Sequence, residues 1–60
     1  MVRLPTNTEA VDYVIRTEAF WGLVSEIRLI AVADEYVRVV TTNNDWGVWV
    51  QSDGSIYGEC

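Results

Sequence analysis

The chain has 60 residues, half of them apolar, and sets nine carboxylates against four arginines for a net charge of −5, with neither lysine nor histidine. That length admits one domain, which buries only about 60% of the surface its unfolded form exposes, and the apolar content is too high for a disordered segment. The charge balance argues against nucleic acid or an anionic membrane as a direct ligand. The missing histidine and lysine remove the usual bases of nucleophilic catalysis, and without histidine a single terminal cysteine leaves zinc short of ligands.

The longest apolar run, Leu29 to Ala33, falls far short of the roughly 20 residues of a membrane-spanning helix. Met1-Val2-Arg3-Leu4-Pro5 leads straight into polar Thr6-Asn7-Thr8 with no signal-peptide core. The expectation is a cytoplasmic protein. Cys60, the one cysteine, offers no disulfide framework. A domain this small with no staple is expected to oligomerise or to dock on something larger.

Thr6-Asn7-Thr8-Glu9 fits a capping box and predicts a helix start. Ala10, Val11, Val14 and Ile15 then fall on one helical face, with Glu9, Asp12 and Arg16 on the other. Glu18 lands inside the apolar arc, where a carboxylate near a helix C-terminus opposes the macrodipole. Together with Phe20-Trp21-Gly22 this places the helix at about Asn7 to Ala19. A helix continuing past Val24 is the rival.

From Ser25 the period changes to two and β-branched residues dominate. Strands are expected at about Ser25 to Ala33, Tyr36 to Thr42, Trp46 to Gln51 and Ser55 to Gly58. Their turns are Ala33-Asp34-Glu35, Asn43-Asn44-Asp45, with residues that tolerate positive φ, and Ser52-Asp53-Gly54, with the Asp-Gly hairpin signal. The fold class is α+β: one N-terminal amphipathic helix packed on a three- or four-stranded antiparallel β-meander.

Apolar content puts Ile27, Leu29, Ala31, Val37, Val39, Trp46, Val48, Val50 and Ile56 under the helix. The other face then holds Glu26, Arg28, Ile30, Val32, Tyr36, Arg38, Val40, Trp49, Gln51 and Tyr57. A single helix cannot cover both faces. Aromatics and arginine are enriched at protein interfaces, which makes Tyr36, Arg38, Trp49 and Tyr57 candidate partner contacts. Trp46 and Trp49, three residues apart on one strand, belong to opposite faces. A bulge at Gly47 would bring them to the same side; the glycine serves equally to let a large neighbour pack close.

Active-site chemistry is not apparent. Asp34 and Glu35 sit together in a turn where both are solvated. The hard oxygens of Asn43, Asn44 and Asp45, or of Asp53 with Glu59, lack calcium-loop spacing. The chain is therefore read as non-enzymatic, without metal or cofactor.

The acidic residues Glu9, Asp12, Glu18, Asp34 and Glu35 form a second candidate surface, suited to a basic protein. With its capped helix "TNTEAVDYVIRTEAF", its meander "EIRLIAVADEYVRVVTTNNDWGVWV" and its acidic balance, the chain resembles the small anti-CRISPR inhibitors of phages and mobile elements. That resemblance implies a stoichiometric inhibitor docked on a CRISPR effector complex or another basic nucleic-acid-binding protein, blocking DNA binding by an acidic surface that imitates DNA. The alternative is an assembly module that homodimerises or binds a partner through the aromatic sheet face.

Overall fold

The structure is a computed structural model describing residues 3–60; Met1 and Val2, part of the stretch read for a signal-peptide core, lie outside the described residues. Helix α1 (Asn7–Phe20) precedes four strands, β1 (Ile27–Val32), β2 (Val37–Thr41), β3 (Asp45–Val50) and β4 (Ile56–Glu59). They form one antiparallel sheet in the order β1-β2-β3-β4. Among the described residues, no helix is long and apolar enough to cross a membrane.

The helix starts where its capping box predicts. The Glu9 amide donates to Thr6 Oγ1 at 3.1 Å, and the Thr6 amide donates to Glu9 Oε1 at 2.9 Å. It ends one residue beyond the expected Ala19, with Gly22 at φ +86°. The Leu23 amide there donates to the Glu18 carbonyl at 2.9 Å and the Gly22 amide to that of Ala19 at 2.9 Å, the paired bonds of a left-handed helix exit that glycine adopts without strain. This stop before Val24 frees the chain for a fourth strand.

Ala10, Val14 and Glu18, one turn apart, are the buried residues of α1. The helix lies over β2, β3 and β4. Its apolar residues meet Val37, Val39, Trp46 and Val48 in the core, with Val11, Tyr13, Ile27, Ile30 and Ile56 packed around them. Trp46 is only 2% exposed. Tyr13 meets it edge-on at 6.1 Å between ring centroids, and Trp21 stacks on it at 5.5 Å. A Cβ on Gly58 would stand 2.8 Å from Tyr13 Cε1 and 3.3 Å from Trp46 Cε3. The two rings occupy the volume a side chain would need.

In two places the structure differs from the alternation read in the sequence. Ile27 faces Thr41 but Leu29 faces Val40, so β1 bulges at Arg28. The extra residue reverses the faces that follow. Leu29 and Ala31 point away from the helix instead of under it. Ile30 and Val32, opposite Val39 and Val37, lie on the helix side.

The second difference is at the β2–β3 connection, where Asp45 belongs to β3 and no described non-glycine residue has positive φ. Here the asparagines act through their side chains: Asn43 Nδ2 donates to Ser25 Oγ at 2.8 Å and Asn44 Nδ2 to Glu18 Oε2 at 3.0 Å. The β2–β3 register is unbroken through Gly47. Trp46 and Trp49 therefore face opposite ways.

Candidate protein-binding face

Five carboxylates were candidates for contact with a partner, and the fold gives them different surroundings. Glu18 is completely buried. Its Oε2 accepts from Trp46 Nε1 at 2.7 Å, Thr41 Oγ1 at 2.9 Å and Asn44 Nδ2 at 3.0 Å. Its Oε1 accepts from Ser25 Oγ and from Thr41 Oγ1 at 3.1 Å. Loss of water pushes its pKa up, but the hydrogen bonds from Ser25, Trp46, Asn44 and Thr41 outweigh that and hold it down at about 2.

These donors come from the segment after the helix, the end of β2, the β2–β3 connection and the start of β3. Glu18 thus pins the C-terminal end of α1 to the β2–β3 hairpin. The reading of Glu18 as a partner-facing acid is corrected accordingly: its carboxylate is enclosed and fully hydrogen-bonded.

Glu9 is occupied by the capping box and by Arg3 Nη1 at 3.3 Å. The Thr6 backbone bond, then Arg3, lowers its pKa. Asp12 pairs with Arg16 Nε at 2.9 Å one turn away. Asp34 and Glu35, both exposed, make no ion pair among the described residues.

The aromatic candidates come together on the sheet face away from the helix. Val37 faces Val48, so Tyr36 and Trp49 are the next cross-strand neighbours, and Trp49 faces Tyr57 directly. Trp49 meets Tyr57 edge-to-face at 5.2 Å between centroids, a favoured aromatic geometry. Tyr36 and Tyr57 are each 41% exposed. The Tyr36 ring lies over Gly47, 3.4 Å from where a Cβ would stand, so this glycine leaves room for a large neighbour.

Arg38, on the same face, is clamped on Asp45: Nε to Oδ1 is 3.0 Å and Nη2 to Oδ2 is 2.7 Å. Those bonds raise the Arg38 pKa and lower that of Asp45. With both side chains about half exposed, the pair adds little to stability. It does fix the guanidinium on Asp45 and neutralises it there.

Between the β1–β2 turn and β3 lies an open groove of about 490 Å³ lined by Asp34, Glu35, Tyr36 and Trp49. It joins the free acids of the turn and the adjacent Tyr36 to Trp49 on β3. Comparison with known protein families, curated proteins and solved structures gives no match.

Proposed function

We propose that this chain is a non-enzymatic, inhibitor-type binding domain that docks on a basic protein through the Tyr36–Trp49–Tyr57 face, with Asp34 and Glu35 at the rim. The groove where Asp34 and Glu35 meet Tyr36 and Trp49 carries this reading. A partner's lysine or arginine entering it would find an aromatic ring for cation–π attraction and a carboxylate for a charge-assisted hydrogen bond. Neighbouring Arg38 does not compete for those carboxylates, because Asp45 holds it.

A CRISPR effector complex with a basic nucleic-acid channel is the specific partner implied by the resemblance in the sequence. Extended phosphate mimicry by the helix carboxylates is not part of the proposal, since Glu9 and Asp12 are internally paired and Glu18 is buried. Binding to a purified effector complex, measured by interferometry, provides the test. Trp49→Ala and the double variant Asp34→Asn/Glu35→Gln should each weaken binding about tenfold or more, with unchanged circular dichroism. Glu9→Gln/Asp12→Asn should bind as the unaltered protein does, and the reverse pattern would refute the assignment.

A further inference from the structure

The sheet has two open edges that are not alike. β4 is four residues long and ends in Gly58 and Glu59, whereas β1 is six residues, IRLIAV, with Arg28 its only charge. A long apolar edge is the kind that recruits another strand. The devices that blunt such edges, a charge and a bulge, are confined here to the Arg28 end. Leu29 to Val32 remain regular, with Leu29 44% and Val32 65% exposed.

The hydrogen-bond phase of this edge follows from the turn. The Ala33 amide donates to the Tyr36 carbonyl at 2.9 Å, and antiparallel pairs alternate. Ala31 and Leu29 therefore direct their backbone groups at β2, and Ile30 and Val32 direct theirs outward.

We infer that β1 is a self-pairing strand, joining two copies of this chain antiparallel about a two-fold axis at Ala31. In that register Ile30 of each copy exchanges backbone hydrogen bonds with Val32 of the other. The two Ala31 residues meet at the close, non-hydrogen-bonded position, where small side chains fit. Arg28, which has no ion pair among the described residues, comes beside the other copy's β1–β2 turn and its Asp34, twice over by symmetry. Moving the axis to Ile30 would instead bring Glu26 beside that turn and its Asp34, and like charges brought together are unfavourable.

The helix side offers space for the same occupant. α1 leaves an apolar groove of about 430 Å³ beside β1, with Val11, Ile15 and Ile30 among its walls. A second copy would bring its Val32 alongside Ile30, below that groove. The eight-stranded sheet so formed leaves Trp49 and Glu35 accessible, and of the docking face proposed above it engages only Asp34.

Sedimentation equilibrium over a concentration series is the test. The unaltered protein should show a monomer–dimer equilibrium. Val32→Lys, at an exposed position that keeps the fold, should raise the dimer dissociation constant by about tenfold or more. Arg28→Asp should do likewise, and Arg28→Asp combined with Asp34→Arg should restore dimerisation. A monomer at every concentration would overturn the inference, as would a dimer indifferent to Val32→Lys or a charge swap that fails to restore pairing. A dimer lost on Trp49→Ala but kept in Val32→Lys would place the interface on the sheet face and equally overturn it.

Discussion

Replacing Glu18 by glutamine keeps the shape of the side chain but removes the charge and one acceptor oxygen from a site of converging donors. Oε2 alone takes the Trp46 indole N–H, the Thr41 hydroxyl and the Asn44 amide. An amide –NH₂ in that place would face donors, and an –NH₂ in place of Oε1 would face Ser25. The pKa gives the size of the effect. It falls from an ordinary 4.5 to about 2, about 2.5 pH units, and at about 1.4 kcal/mol per unit this favours the charged folded form by about 3 kcal/mol.

Because the folded value is the lower one, the unfolded chain binds more protons between these limits. The stabilisation is complete above pH 4.5 and disappears as pH falls from 4.5 to 2. Urea unfolding followed by tryptophan fluorescence at steps from pH 7 to pH 2 should therefore show Glu18→Gln less stable by about 3 kcal/mol at pH 7, a large share of the roughly 3–9 kcal/mol expected of 60 residues. The two proteins should converge near pH 2. Glu9, Asp45 and Asp53 also have lowered values, but they are present in both proteins, and their contributions cancel in the difference. A constant gap down to pH 2, or no gap at pH 7, would show that the ionised Glu18 carboxylate does not stabilise the fold.

Gly58→Ala forces a Cβ to within 2.8 Å of the Tyr13 ring and 3.3 Å of Trp46, and should destabilise by about 1–3 kcal/mol in thermal unfolding. Gly47→Ala, whose Cβ would come no closer than 3.4 Å to Tyr36, should cost less, and equal losses would contradict the packing described. Trp46→Phe removes the indole donor to Glu18 while keeping most of the ring burial. It should cost about 1.5–3 kcal/mol more at pH 7 than near pH 2, where only the pH-independent loss of buried ring volume remains, as the same urea series would reveal.

Where a local rule decides the structure, the sequence was readable. The capping box, the glycine exit at Gly22 and the Asp53-Gly54 turn each mark an element boundary through backbone chemistry confined to a few residues. The alternation of β2 and β3 identified Trp46 as core and Trp49 as outward because no bulge intervenes. On β1 the same rule failed, since Arg28 looks like any polar strand residue and nothing local marks it as the extra one. Glu18 was conspicuous on the apolar arc, but its meaning depended on donors up to 28 residues away. A signal did exist: Thr41 and Trp46, both bearing hydrogen-bond donors, occupy inward positions near the same hairpin, where a buried acceptor would satisfy them. The groove uniting Asp34 and Glu35 with Trp49 depends on how the β1–β2 turn folds toward β3, which strand periodicity does not encode.

The surface of this acidic domain that receives a basic partner can be located directly. Nitrogen-edited NMR spectra recorded while an arginine- and lysine-rich peptide is added would map it residue by residue. Shift changes should concentrate at Asp34, Glu35, Tyr36, Trp49 and Tyr57, including the Trp49 indole, and fade as salt is raised. Changes centred on Glu9 and Asp12 along the helix, or none at all at low salt, would contradict the account.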